Sequence, residues 1–225
     1  MIEQELFRCV ASFDAAATGV TGAAKLSGGA SQETWSFDIV HPNGYVGAIL
    51  RRSPQGYGAA PTRAAGLDAE ARLMQLAHDA GLPSPKVMYV LKPGDDLGTG
   101  FIMARVEGET IARKILRDAQ FAKARPLLAR QLGKVAAGIH GLSRADLPVL
   151  REMSSTKELA EMGREYRGFN WPRPVFELAL RWLGDRDPGP SQEVTLVHGD
   201  FRHGNLIIGS DGVRAVLDWE LAHLG

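Results

Sequence analysis

Apolar and polar residues alternate along residues 24–52, and this alternation predicts a β-hairpin. In the segment TWSFDIV, large apolar residues are separated by polar ones, the period of two that is typical of a half-buried strand. The next residues, HPNG, contain Asn43-Gly44, a pair that is favoured in two-residue hairpin turns. YVGAIL is then predicted to be the returning strand, and a glycine-bearing turn at residues 27–31 precedes the hairpin.

Further along the chain, apolar residues recur every three or four positions, which is the spacing of an amphipathic helix. Helices are predicted at residues 67–81, 123–142, 155–168 and 174–184, with a short helix within residues 1–20 and strands at 85–91 and 101–108. We therefore expect an α+β protein in two parts. Residues 1–107 form a small unit with an antiparallel sheet, and residues 108–225 form a mainly helical unit.

The composition excludes several classes of function. The 26 basic residues balance the 26 acidic ones, so the chain lacks the positive field of a nucleic-acid or membrane-surface protein. Cys9 is the only cysteine, which excludes an internal disulfide and a cysteine-based zinc site. No segment approaches the ~18 apolar residues of a membrane span, and the N-terminus lacks the apolar core of a signal peptide. We expect a cytoplasmic protein without nucleic-acid or membrane partners; the sequence indicates no oligomeric state.

The candidate chemistry lies in the segment LVHGDFRHGNLIIGSDGVRAVLDWE, residues 196–220. Asp200, Asn205 and Asp218 lie there between apolar, β-branched runs, where an acidic group costs desolvation free energy unless a cation meets it. These residues therefore either cap turns or hold a metal ion. A hairpin of LII and RAVL across the turn GSDG returns Asp218 to Asn205, and two converging oxygen ligands suit Mg²⁺.

The spacing between Asp200 and Asn205 is that of the kinase catalytic loop, D-x-x-x-x-N. In that loop the Asp accepts the proton of the attacking hydroxyl group and the Asn binds Mg²⁺. The complete signature, HGDFRHGN followed by LDWE, resembles the aminoglycoside phosphotransferase and choline kinase-like enzymes, whose fold is similar to that of protein kinases. The likeness extends over about residues 25–225. GGASQETW, LRRSP and LDWELAHLG look most like the branch related to the kinase-like part of certain acyl-CoA dehydrogenase fusions.

The resemblance implies a two-lobed fold, with an antiparallel-sheet N-lobe and a mainly helical C-lobe that is incomplete because the family continues with further helices. It implies an ATP-dependent (or GTP-dependent) phosphotransferase that uses Mg²⁺ and a small-molecule hydroxyl acceptor. Asp200 is then the catalytic base, and Asn205 and Asp218 are the metal ligands. The implied nucleotide-binding residues are Gly28, Gly29 and Ser31 in the phosphate-covering turn, Arg51 in the nucleotide-contact strand, Glu70 in the regulatory helix, and Met103 and Arg105 in the hinge.

One departure from the family pattern keeps an alternative open. Arg51 occupies the position that is usually held by a lysine, and a planar guanidinium does not reproduce the point charge of an ammonium group. We expect Arg51 to form an ion pair with Glu70. The alternative function is a nucleotide-binding pseudoenzyme or regulatory module; a metal-dependent hydrolase is a third, weaker one. His198 is interpreted as a packed histidine that braces the catalytic loop rather than as a base or a ligand.

Overall fold

The computed structural model describes residues 2–28, 32–53, 63–189 and 193–225. Gly29 and Ser31, which we predicted to contact phosphates, lie outside these residues. The first half of the chain contains two helices and five strands in the described ranges: α1 (Ile2–Phe13), β1 (Gly19–Gly28), β2 (Glu33–His41), β3 (Gly44–Ser53), α2 (Leu67–Asp79), β4 (Val87–Val90) and β5 (Thr99–Ala104).

The five strands form one antiparallel sheet in the order β1-β2-β3-β5-β4. The predicted β2–β3 hairpin is present, but its loop residues are Pro42 and Asn43, because His41 pairs with Gly44. Proline fixes φ near −65°, so it does not fit the turn with positive φ that an Asn-Gly loop adopts. The sequence pattern did not indicate β1, since two register shifts along this strand break its alternation of residues.

The two faces of the sheet belong to different hydrophobic clusters. Leu50 of β3 lies in a smaller cluster with α1, whereas Ile49 lies in a larger one that contains α2 and much of the second half of the chain. Neighbouring residues of a strand point to opposite faces. Arg51 therefore shares the face of Ile49, which looks towards the helical part.

The second half contains four helices and four short strands within the described residues: α3 (Ala112–Arg117), α4 (Arg125–His140), α5 (Ser155–Gly168), α6 (Pro174–Gly184), β6 (Leu196–Val197), β7 (Leu206–Gly209), β8 (Gly212–Val216) and β9 (His223–Leu224). The hairpin β7–β8 is the predicted one, and β6 pairs with β9. The chain enters this half through Glu109, whose backbone N–H and C=O both bond to Ile208 at 2.9 Å. The division at residue 108 stays a prediction.

Helix α6 packs loosely on the protein. It buries no side chain completely and leaves Leu178 68% and Trp182 52% exposed. Its aromatic contact is with α5, where Phe176 lies 5.5 Å from Tyr166 between ring centroids. Within the described ranges, no helix combines the length and apolar character that crossing a membrane requires.

Candidate active site

The candidate catalytic loop connects β6 to β7 and is braced by His198. The backbone N–H of Asp200 donates to Nδ1 of His198 at 3.3 Å, so the other ring nitrogen, Nε2, donates to the carbonyl of Leu217 at 3.1 Å. The ring is 3% exposed and packs 4.8 Å from the ring of Trp219. Burial lowers the pKa of His198, which keeps the ring neutral. The interpretation of His198 as a packed, loop-bracing residue is confirmed.

The carboxylate of Asp200 is held from two sides. The side-chain amide nitrogen of Asn205 donates to Oδ2 of Asp200 at 2.7 Å and to its backbone carbonyl at 3.0 Å. From the other side, Nε of Arg202 lies 3.0 Å from both carboxylate oxygens. The five-residue spacing thus lets the side chain of Asn205 bond back to Asp200 at the start of the loop. The amide oxygen of Asn205 has no hydrogen bond among the described residues.

The β7–β8 hairpin brings Asp218 back to the catalytic loop, as predicted. Leu206 pairs with Val216, and the N–H of Leu217 donates to the carbonyl of Asn205 at 2.8 Å. Asp218 has φ 63° and ψ 64°, a left-handed conformation that is unfavourable for a residue with a side chain. A conformation of this kind persists only where the surroundings fix it, which marks Asp218 as a candidate functional residue.

Arg51 of β3 reaches across to Asp218 and joins the two halves of the site. Its Nη2 donates to Oδ1 of Asp218 at 2.6 Å and lies 3.6 Å from Oε2 of Glu220. Its Nε lies 3.1 Å from Oε2 of Glu70 on α2. The N–H is not directed at that oxygen, so this contact is an ion pair without an aligned hydrogen bond. The predicted pair with Glu70 is present, and Arg52 on the opposite strand face pairs instead with Glu33.

One arginine therefore faces three carboxylates, and burial together with the surplus of negative charge raises the pKa values of Glu70 and Glu220. Glu70 is 1% exposed, and its pKa is raised to about 7 by burial, with further contributions from Asp218 and Glu220, while Arg51 opposes the shift. Burial also raises the pKa of Glu220, and the charge of Asp218 adds to this effect. A cluster that retains excess negative charge around a cleft favours the binding of a further cation.

The donor set limits how a metal ion can bind here. In the described part of the chain, no group of three or more His, Cys, Asp or Glu side chains has a metal-binding arrangement. The two predicted metal ligands, Asn205 and Asp218, offer hard oxygen donors on neighbouring segments, which the hydrogen bond from Leu217 to Asn205 joins. Mg²⁺ commonly binds through one or two protein carboxylates together with phosphate oxygens, so these residues fit Mg²⁺ only in company with a phosphate ligand.

Met103 and Arg105, the predicted hinge residues, lie on the same sheet face as Arg51. Arg105 crosses β3 at Gly47, where an added Cβ would be 2.8 Å from its Cζ, and pairs with Asp38 of β2 at 2.8 Å. Met103 is buried beside Ile49, its partner in the sheet. The predicted hinge segment thus contacts β2 as well as β3.

The base of the hairpin that carries the glycine turn is fixed by Glu33. Gly28, the last residue of β1, is paired with Glu33, whose carboxylate accepts from Lys25 at 2.6 Å and from Trp35 and Arg52 at 3.1 Å. The hydrogen bond from Lys25 is the main cause that lowers the pKa of Glu33 to about 2. The strand ends that flank the turn are therefore held by three donors.

A cavity of about 870 Å³ opens beside the catalytic loop, between the start of α5 and the β6–β9 pair. Gly199, which precedes Asp200, lines it together with Met153, Lys157 and Leu221. The volume lies within the range of small-molecule sites, and the lining also includes Leu224 and Gly225, the last two residues of the sequence. Sequence reasoning gave no indication of this cavity, because its walls come from segments far apart in the chain.

The chain has a protein-kinase-like fold. A five-stranded antiparallel sheet is followed by a mainly helical part, and their junction contains Arg51, Asp200 and Asp218. The crystal structure of a thermostable mutant of aminoglycoside phosphotransferase APH(4)-Ia, in a ternary complex with ADP and hygromycin B, has this fold. The two structures match with a TM-score of 0.66 and 18% sequence identity, over 98% of this chain and 72% of the APH(4)-Ia chain. The model of the phosphotransferase enzyme family matches residues 22–225, and the chain belongs to this family.

Curated relatives agree with the predicted branch. Acyl-CoA dehydrogenase family member 11 of Gallus gallus is 27% identical over 241 residues, which cover 100% of this chain and 29% of the relative. Acyl-CoA dehydrogenase family member 10 of Mus musculus is 28% identical over 184 residues, covering 79% of this chain and 17% of the relative. The chain thus spans less than a third of the length of either relative.

Proposed function

We propose that this chain transfers the γ-phosphoryl group of ATP or GTP to a hydroxyl group of a small molecule. The observation that carries the proposal is a series of contacts that runs from Glu70 to Arg51 and Asp218. From Leu217, the neighbour of Asp218, it continues through backbone and side-chain hydrogen bonds to Asn205 and Asp200. This series links a cation of the sheet to the loop with the D-x-x-x-x-N spacing. The complex of APH(4)-Ia with ADP and hygromycin B supports a nucleotide and a small acceptor as the two ligands.

In the proposed reaction, Asp200 accepts the proton of the acceptor hydroxyl as its oxygen bonds to the γ-phosphorus. The bond from that phosphorus to the β-phosphate oxygen breaks, and the nucleoside diphosphate leaves with the electron pair. Asn205 orients the carboxylate of Asp200 through the 2.7 Å hydrogen bond. Most of the rate enhancement then comes from positioning and from electrostatic stabilisation.

The nucleotide phosphates are assigned to the side of the cleft beneath β3. Asn205 and Asp218 would hold Mg²⁺, which supplies charge neutralisation at the phosphate oxygens when it is bound. Arg51, kept in place by Glu70, is assigned to the phosphates as well. Met103 and Arg105 are assigned to the base and ribose end, and Gly28, Gly29 and Ser31 to the covering turn.

The cavity beside Gly199 is the proposed acceptor site, because Gly199 lines it and directly precedes Asp200, the proposed base. Met153→Trp would fill part of this cavity. We expect a higher KM for the acceptor and an unchanged KM for ATP. A variant with both values unchanged would place the acceptor elsewhere.

The experiment that tests the function measures turnover of ATP and of GTP with Mg²⁺, with and without a panel of aminoglycosides, choline, sugars and hydroxyacyl compounds. Asp200→Asn is expected to bind the nucleotide as the wild type does and to react at least ~10²-fold more slowly. Asp211→Asn, in the exposed turn of the same hairpin, is the matched control and should keep full activity. Phosphate release that no acceptor increases would favour a hydrolase.

A pseudoenzyme of the same fold is the second candidate, and a specific observation favours it. Arg51 already occupies an oxygen of Asp218 at 2.6 Å, so nucleotide and metal must compete with an internal ion pair. Such a protein would bind nucleotide without transfer to any acceptor. Arg51→Lys distinguishes the two cases: a gain of transferase activity from an inactive parent identifies a pseudoenzyme, whereas an active wild type excludes it.

A further inference from the structure

The catalytic loop carries an arginine to which neither the family signature nor the sequence pattern gave a role. Arg202 is 65% exposed on its side chain and is the one cation in contact with Asp200 among the described residues. Its neighbour Phe201 packs against the core, whereas most of the Arg202 side chain is exposed to solvent. The guanidinium group of Arg202 therefore lies at the surface, in contact with the carboxylate of Asp200.

Arg202 is fixed at one end of its guanidinium group and free at the other. Nε lies 3.0 Å from both oxygens of Asp200, and the side chain runs across Gly204, where an added Cβ would be 2.6 Å from Nη1. Neither terminal nitrogen has a hydrogen-bond partner in the described ranges. Arginine binds phosphate oxygens in bidentate fashion through such nitrogens. Arg51 is less available, because Glu70 and Asp218 already hold it.

We propose that Arg202 is a further catalytic residue, which contacts the phosphoryl group while it passes from the nucleotide to the acceptor. This inference rests on the proposed function. A hydroxyl group bound to Asp200 lies about 3 Å from the phosphorus that it attacks. Because Nε holds the guanidinium group beside this carboxylate, we assign its terminal nitrogens to the oxygens of the phosphoryl group in transfer, where a fixed cation stabilises the developing charge.

The experiment measures binding of MgADP by calorimetry, alone and with aluminium fluoride, which mimics the phosphoryl group in transfer. Wild-type protein should bind MgADP with aluminium fluoride about 10- to 100-fold more tightly than MgADP, the affinity equivalent of one charge-assisted hydrogen bond. Arg202→Ala should lose this gain and keep its affinity for MgADP. Arg202→Lys should retain part of it. Arg214→Ala, which removes an exposed arginine paired with Asp211, should retain all of it.

The outcomes separate this inference from the proposed function. A full gain in Arg202→Ala, or no gain in a wild type that binds MgADP, overturns the role of Arg202 and leaves the phosphotransferase proposal standing. Failure of the wild type to bind MgADP at all overturns both. Since Arg202 is exposed, Arg202→Ala should unfold at the same temperature as the wild type. This measurement excludes misfolding as the reason why the variant fails to bind MgADP with aluminium fluoride more tightly than MgADP.

Discussion

Replacing Glu70 with glutamine should remove a pH dependence of stability that the wild type shows. Burial raises the pKa of Glu70 from 4.5 to about 7 in the folded protein, whereas the unfolded chain has the ordinary value. Between these two values the folded state holds a proton that the unfolded state releases, so stability is greatest at low pH and falls as the pH rises towards 7. The glutamine side chain of the variant does not titrate, and it keeps the volume of the glutamate that it replaces.

The size of the effect follows from the shift. Each pKa unit corresponds to about 1.4 kcal/mol, so the free energy of unfolding of the wild type should fall by about 3 kcal/mol relative to Glu70→Gln between pH 4.5 and 7. Urea unfolding of metal-free protein at half-unit pH steps measures this difference. Glu177→Gln, a half-exposed glutamate on α6, is the matched control and should run parallel to the wild type. Parallel curves for wild type and Glu70→Gln would refute the reasoning, because Glu70 would then have the same pKa in the folded and the unfolded protein.

Three further predictions concern the site and its support. Asp218→Ala should abolish the Mg²⁺-dependent part of ATP affinity, measured by calorimetry with and without chelator; equal affinities would remove Asp218 from the metal site. Arg51→Ala should raise the KM for ATP and lower kcat in steady-state assays, since it removes the cation of the sheet; unchanged kinetics would exclude it. Gly199→Ala should unfold at a clearly lower temperature, because a Cβ there collides with the backbone carbonyl of Leu221 and φ is 83°. Gly81→Ala is the control, because Gly81 has φ 75° and open space around it; its free energy of unfolding should fall by only about 1 kcal/mol.

Local patterns in the sequence predicted the parts of the fold whose determinants lie close together in the chain. The alternation along β3 placed Arg51 and Arg52 on opposite faces, and their different partners, Glu70 and Glu33, agree with it. The strand β1 was missed because its register shifts abolish the period of two. No local pattern carries the position of a bulge, which depends on the strand that pairs with it.

The candidate site was predictable as a set of residue types but not as a set of contacts. The signature around residues 198–220 gave Asp200, Asn205 and Asp218, and the turn between β7 and β8 explained how they meet. The contact of Arg51 with Asp218 joins residues far apart in the sequence, and only the packing of the sheet on the helical part creates it. The contact between Arg202 and Asp200 is local, but a D-x-R pattern does not reveal which way the arginine turns.

The packing of Trp219 beside His198 provides an intrinsic fluorescence probe of the candidate site. Trp219 is fully buried and adjoins Asp218, whereas Trp171 and Trp182 are exposed on the surface around α6. Iodide in solution quenches the exposed indoles first, so the remaining fluorescence arises mainly from Trp219 and the partly buried Trp35. A ligand that draws Asp218 away from Arg51 moves the backbone next to Trp219. Its emission then reports occupancy of the site in a label-free titration.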